Sequence, residues 1–200
     1  MKRFIISLMA ANQVGIMAAL TEALDDLKGD IQEVSQTVMQ QFFTIILAAD
    51  FPDECRGEDI VSHIEKVCEP FKVDVTTKEP AREELFSYPE ESVEKYFLTV
   101  TGPDQRGIVR RIATRLEEVG IDITDLHAVR DDQRHEFLLV MELAVPAGIE
   151  TAELTQELEQ LGNAEGLAAA FQHENIFAAT HDLQPVRLAF RMPGKTELQR

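Results

Sequence analysis

The chain repeats itself. Displaced by 92 positions, its first half falls on its second: Phe4 on Tyr96, Ile6 on Leu98, Leu8 on Val100, Gln13 on Gln105 and Gly15 on Gly107. The register continues through Ile16 on Ile108, Leu20 on Ile112, Leu24 on Leu116, Asp30-Ile31 on Asp122-Ile123 and Val34 on Leu126. Past a turn that is two residues longer in the second half, the offset becomes 94. Phe43 then meets Phe137, Pro52 meets Pro146, and Ile60, Ile64 and Val67 meet Leu154, Leu158 and Leu161. A period of ~90 residues is too long for a solenoid unit and fits a small domain. The 200 residues therefore divide into a first domain at 1–78, a connecting segment at 79–94 carrying Pro80, Pro89 and several Glu, a second domain at 95–183, and a tail at 184–200. In the tail Val186, Leu188, Phe190 and Met192 alternate, the pattern of a strand that could extend a sheet edge or of a loosely docked terminus. Phe86 and Tyr88 in the connecting segment are expected to pack against something.

Each copy reads the same way. Phe4, Ile6 and Leu8, like Tyr96, Leu98 and Val100, alternate as in a half-buried strand. Ile16, Leu20, Leu24 and Leu27 then recur at helical spacing, as do Ile108, Ile112, Leu116 and Val119. A second strand is predicted over Ile31–Val38 and Ile123–Val129, and a third over Phe42–Ala49 and Glu136–Val145, whose apolar density suits an interior position in the sheet. A second helix follows at Glu58–Val67 and Ala152–Leu161. A last strand is predicted at Phe71–Thr77 and again near Ala169–Ile176. The order is βαββαβ, twice. This is an α+β protein of two ferredoxin-like domains, each an antiparallel four-stranded sheet with helices on one face, and the two are expected to pack together.

Charge narrows the partners. With 36 Asp and Glu against 19 Lys and Arg, the net charge is -17, which repels phosphate backbones and anionic lipid. Direct nucleic-acid binding and membrane association are not expected, and no run approaches the ~20 apolar residues of a membrane span. Cys55 and Cys68 are the two cysteines; they form neither a disulfide framework nor a zinc spacing, and a reducing cytoplasm suits them. Met1-Lys2-Arg3 before the apolar run Phe4–Ala11 has the outline of a signal peptide, but the run is short and the repeat makes it a strand.

Chemistry concentrates in the turn between the first strand and first helix. In the second copy it reads Thr101-Gly102-Pro103-Asp104-Gln105-Arg106-Gly107-Ile108-Val109, and in the first Met9-Ala10-Ala11-Asn12-Gln13-Val14-Gly15-Ile16-Met17. A glycine there lets the backbone approach another group. The free amides of the helix start favour a carboxylate or phosphate. The competing reading makes Asn12 and Asp104 ordinary helix N-caps and the glycines mere packing residues.

The pattern Gly102-Pro103-Asp104-x-x-Gly107-Ile108-Val109, then a helix, then Gly120-Ile121-Asp122-Ile123, resembles an ACT domain. The first copy matches at Asn12, Gly15, Ile16, Asp30 and Ile31. A tandem pair over about residues 3–183 is similar to the glycine cleavage system transcriptional repressor family, and Gln172–Phe177 with His181 resembles the last strand of small stand-alone ACT proteins. The resemblance implies a regulatory module that binds a small amino acid, glycine or serine, at interfaces between ACT copies. It implies ligand-binding residues at Asn12, Gly15, Ile16, Asp30, Asp104, Gln105, Gly107, Ile108 and Asp122. Many ACT domains open the second strand with an asparagine that touches the ligand. Here Asp30 and Asp122 hold that place, either to meet the ligand's ammonium group or to cap a turn.

No catalytic motif competes with this. His63, His127, His135, His173 and His181 form no HExxH-type pair, and no GxSxG elbow, Walker loop or GxGxxG is present. No catalytic residue, metal site or cofactor is therefore expected. Arg106, Arg110, Arg111, Arg115, Arg130 and Arg134 are half of the chain's arginines within 29 residues. They form either an anion or acidic-partner site or a solvated face paired with Glu117, Glu118 and their neighbours. The expectation is a cytoplasmic, non-enzymatic regulator that dimerises and acts through a protein partner such as a transcriptional activator. Two alternatives remain: a ligand-free interaction module, with Val14 and Met17 plugging the first pocket, and a stand-alone regulatory subunit of an amino-acid or folate enzyme.

Overall fold

A computed structural model of the chain describes residues 1–81, 93–131 and 136–180. It divides into two compact units, Met1–Ser87 and Tyr88–Arg200. In the first, β1 (Lys2–Ala11), α1 (Ile16–Asp26), β2 (Asp30–Met39), β3 (Phe42–Phe51), α2 (Gly57–Val67) and β4 (Asp74–Lys78) form an antiparallel sheet in the order β2-β3-β1-β4. In the second, β5 (Val93–Pro103), α3 (Ile108–Glu118), β6 (Asp122–Asp131), β7 (Glu136–Pro146), α4 (Thr151–Ala164) and β8 (Ala168–His173) repeat it as β6-β7-β5-β8. Both units are ferredoxin-like and α+β. Residues 2–11, the segment with a signal-like outline, form an interior strand.

Period-2 alternation decides which face is covered. Phe4, Ile6, Leu8 and Ala10 of β1 and Phe43, Ile45, Leu47, Ala49 and Phe51 of β3 are buried on one face, beneath Ile16, Leu20, Ala23 and Leu24 of α1 and Ile60 and Ile64 of α2. Leu98, Val100, Leu139, Met141 and Leu143 repeat this beneath Ile108, Ile112, Leu116, Leu154 and Leu158. The interior place of β3 and β7 explains their apolar density, since each pairs on both sides.

The last strands differ from the sequence reading. In the first unit, Glu69–Phe71 make a short 3-10 turn and Lys72 takes φ 50, so β4 begins only at Asp74. In the second, β8 ends at His173 and Glu174–Thr180 form a helix, α5, where the sequence suggests strand through Ile176. Two contacts account for the helix. The Asn175 amide donates to His173 Nδ1 at 3.2 Å, and Phe177 stacks on Phe97 with ring centroids 4.2 Å apart. Phe97 lies on the sheet face away from α3 and α4, because its neighbour Leu98 points into the core. A helix reaches back to cover that ring, which a continued edge strand could not do.

The connecting segment with Phe86 and Tyr88, the turn holding Arg134 and His135, and the tail from His181 lie outside the described residues. Among the described residues no helix is long and apolar enough to cross a membrane.

Candidate ligand site

Each unit's first loop is held at the strand end by backbone and at the helix start by glycine. In the first unit the Asn12 amide donates to the Gln41 carbonyl at 2.8 Å, tying the loop to the β2–β3 turn. The chain then enters α1 through Gly15 at φ 100, and its carbonyl accepts from the Ala19 amide at 3.0 Å. Gly107 does the same for α3 at φ 84, with its carbonyl accepting from Arg111 N at 3.1 Å. A side chain at either position would be strained in that left-handed conformation.

Asn12 and Asp104 are not the helix N-caps that the competing reading makes them. The cap positions are the glycines themselves, and no side chain caps either helix. The reason is the positive φ, which only a residue lacking Cβ adopts cheaply at the loop-to-helix turn. The amides of the first helical turn thus have no side-chain acceptor and remain suited to an anionic group. In the second unit the Ile108 amide donates to the Gln105 carbonyl at 3.2 Å, which closes the loop more tightly. Ile16 and Ile108 are buried beneath their loops, while Asn12, Gln13, Val14, Gly15, Asp104 and Gly107 are exposed. Val14 is 103% exposed and Met17 37%, so within the unit neither fills a pocket at the loop.

Electrostatics separates the two copies. Arg106, Arg110, Arg111 and Arg115 stand where the first copy has Val14, Ala18, Ala19 and Ala23. Asp104 is committed to a side chain, accepting from Arg130 Nη1 at 2.9 Å and fastening the loop to β6. Arg111 curls under the loop, where Nη1 donates to the Arg106 carbonyl at 3.3 Å and Nη2 lies 3.2 Å from Glu165 Oε1. That last contact is an ion pair by distance without hydrogen-bond alignment: Nε and Nη2 are shielded from water and lack an aligned acceptor among the described residues. Arg115 is paired with both Glu118 and Glu157, and the two carboxylates hold its guanidinium more firmly protonated than usual. Arg111 and Arg115 are therefore largely paired with the chain's own carboxylates. The cluster was visible in the sequence, but the support that Arg111 gives the loop was not, because its Glu165 partner sits 54 residues away on another element.

Asp30 and Asp122 are not brought to these loops within a unit. Asp30 sits opposite Asp50 on β3, whereas Ala11, at the mouth of the loop, sits opposite Phe42. Eight residues of β3 separate the two, about 26 Å at the rise of a strand. Asp122 opposite Ala144 and Pro103 opposite Glu136 repeat the separation. The Asp30 carboxylate accepts from the side-chain amide of Gln32, Nε2, at 2.8 Å. Two surface hollows of the first unit also lie away from the loop. One, of ≈ 630 Å³, spreads over the helix-free sheet face at Ser7, Met9, Thr37, Thr44 and Ile46. The other, of ≈ 650 Å³, lies beside Thr21, Asp25, Gly29 and Asp30.

Nothing at the loops resembles catalytic machinery. Among the described residues no group of three or more His, Cys, Asp or Glu is placed to hold a metal ion. Burial pushes the Cys68 thiol up, which disfavours the thiolate that a nucleophile requires.

Comparison with known proteins bears on the fold and family. The ACT domain model matches residues 95–172. The UPF0237 protein of Methanosarcina mazei is 40% identical over 52 residues, 26% of this chain and 56% of that protein, so the chain spans little more than half the length of that relative. The UPF0237 protein of Methanocaldococcus jannaschii is 31% identical over 84 residues, 42% of this chain and 92% of that protein. Among solved structures, an unknown protein from Galdieria sulphuraria has a TM-score of 0.69 at 20% identity, covering 86% of this chain and 98% of its own. A proposed glycine cleavage system transcriptional repressor has a TM-score of 0.61 at 12% identity, covering 86% and 96%. Both share the fold.

Proposed function

The chain belongs to the ACT-domain family, and from that premise we propose that it is a non-enzymatic regulator that binds a small amino acid, glycine or serine, and signals by protein–protein contact. The observation that supports this most is the duplicated helix start. Gly15 and Gly107 both hold a left-handed turn, and neither helix spends its first-turn amides on a side-chain cap. An amino acid's carboxylate fits such amides without any basic side chain, as the uncharged first loop requires.

In this mechanism the ligand's carboxylate lies against the start of α1 or α3, near Asn12, Gly15 and Ile16 or Asp104, Gln105, Gly107 and Ile108. Asp30 and Asp122 join a ligand held at a loop only where another copy of the unit supplies that loop, given their distance along β3 and β7. Binding acts by favouring one arrangement of the protein over another, so the response is limited by the ligand's differential affinity. With a net charge of -17, an effect on transcription of glycine or one-carbon genes would run through a partner such as a transcriptional activator and not through DNA contact. The exposed Val14 beside Gly15 favours a second reading for the first copy alone, a ligand-free contact surface.

Calorimetry of the full chain against the twenty amino acids tests the proposal. One ligand is expected at micromolar to millimolar affinity, weakened about tenfold or more by Gly107→Ala or Gly15→Ala, because the loop must leave its left-handed turn. Silence across the panel refutes amino-acid binding.

A further inference from the structure

The first unit leaves one sheet face bare. Its two helices cover the other face, and period-2 alternation turns Met9 of β1, Phe42 and Ile46 of β3 and Met39 of β2 outward together, with Ser7 and Thr44 between them. Met39 is 69% exposed, Phe42 53%, Ile46 51% and Met9 45%. Met39 stands opposite Phe42, and Met9 stands opposite Thr44, the next outward residue of β3. The four therefore make one continuous apolar patch, the kind of surface that marks an interaction site. Charge lies at its rim. There Asp30, Glu33 and Asp74 outnumber Lys78, and the Arg3–Asp50 pair is neutral.

The second unit shows what covers such a face. Under the repeat offsets Met39, Phe42 and Met9 become Asp131, Glu136 and Thr101, so the exposed apolar groups are replaced by polar ones. Ile5, also on this face, becomes Phe97, and that ring lies under Phe177 of helix α5. Where the face keeps a large apolar group in the second unit, an aromatic side chain on a helix covers it. The first unit keeps more such groups and, among the described residues, has no helix on that side.

We infer that the bare face of the first unit is a docking site for an amphipathic helix of a partner protein, with an apolar stripe toward the sheet and basic residues on its flanks. This is the helix-on-apolar-surface mode of recognition. Its dimensions agree. From β2 to β4 the sheet is three strand spacings wide, about 14 Å, and a helix with its side chains is about 10–12 Å across. From Phe42 to Ala48 the uncharged surface runs about 20 Å along β3, the length of a helix of about 13 residues. The acidic rim selects basic flanks. A second copy of this chain would bring the same acidic rim and a net charge of -17 against it, which disfavours pairing of two such faces. The contact gives a surface to the proposed signalling by protein–protein contact, but it needs no amino acid at the loops and so is tested apart from ligand binding.

Fluorescence anisotropy of the full chain with a labelled leucine–lysine peptide of about 14 residues, its leucines on one helix face, tests this. Micromolar binding is expected. Ile46→Lys sets a charge in the middle of the patch and is expected to weaken binding about tenfold or more. Val140→Lys adds the same charge at the corresponding position of the second unit and leaves the affinity within about twofold. Phe42→Ala, which introduces no charge, also weakens binding, and Glu33→Gln with Asp74→Asn flattens its salt dependence. A peptide of the same composition with leucine and lysine alternating has no apolar helix face and is expected to bind at least about tenfold more weakly. Circular dichroism confirms that each variant folds. No binding, equal binding of the two peptides, indifference to Phe42→Ala, or equal loss with Ile46→Lys and Val140→Lys overturns the proposal. So does a parent that sediments as a dimer and dissociates with Ile46→Lys, which gives the face to a second copy.

Discussion

The end of the first helix tests the duplication at the level of a single dihedral angle. α1 and α3 stop in the same Schellman motif. Lys28 and Gly29 amides donate to Asp25 and Leu24 carbonyls at 2.8 Å each, and Gly120 and Ile121 amides donate to Glu117 and Leu116 carbonyls at 3.0 and 2.9 Å. The residue at the turn adopts φ 56 as lysine in one copy and φ 73 as glycine in the other. A left-handed conformation costs an L-residue roughly 1–2 kcal/mol, and glycine's freer unfolded chain offsets about 0.5–1 kcal/mol of the relief. Lys28→Gly is therefore expected to stabilise the first unit by about 0.5–1 kcal/mol, and to raise its melting midpoint by roughly 2–8 °C in a domain of this size. Gly120→Ala should lower the second unit's stability by a similar amount, purely through φ, since a Cβ there meets nothing within 4 Å. Calorimetry of the full chain, with Lys28→Ala as the control that removes the charge and keeps the Cβ, separates the causes. If Lys28→Ala stabilises as much as Lys28→Gly, or if Lys28→Gly lowers the midpoint, the backbone explanation is wrong.

Two further predictions concern packing and charge. Arg3 donates through Nε and Nη2 to both Asp50 oxygens, at 2.8 and 2.9 Å, and holds the Asp50 carboxyl below its ordinary value of 3.8. A depressed carboxylate contributes stability above its unfolded pKa and loses it as pH falls through the folded one. Urea midpoints of Arg3→Met should thus fall slightly below the parent's at neutral pH and converge with it on acidification below about pH 4; a gap that persists at pH 2 refutes the linkage. Phe177→Ala removes a 6% exposed ring stacked on Phe97 and should destabilise the second unit by about 3 kcal/mol, the low end for a buried phenylalanine because the face opens to water. An unchanged denaturation midpoint would mean that α5 does not hold that face.

Much of the fold was legible because it is written twice in elementary periods. Alternation at Phe4, Ile6 and Leu8 and helical spacing at Ile16, Leu20 and Leu24 each specify a local conformation, and agreement between the copies removes the ambiguity that one apolar run would leave. The departures came where a distant contact outweighs local pattern. Ala169 to Ile176 reads as one strand until Phe97 offers Phe177 a ring to stack on. Asn12 and Asp104 read as caps until the left-handed φ of Gly15 and Gly107 moves the helix start past them. In the candidate site, sequence found the loops and the arginine cluster, but Arg111 beneath the second loop depends on Glu165, which is near only in three dimensions.

By itself, then, the sequence determined the duplication, the βαββαβ order, the covered faces and the glycine-gated loops, since each follows from short-range spacing or from steric limits on a single residue. Tertiary structure alone decided that Asp30 and Asp122 lie about 26 Å along the sheet from those loops, and that β2 and β6 stand at the sheet edges beside β3 and β7. Those facts depend on strand order and register, which are set by long-range pairing and not by anything a local window of residues contains.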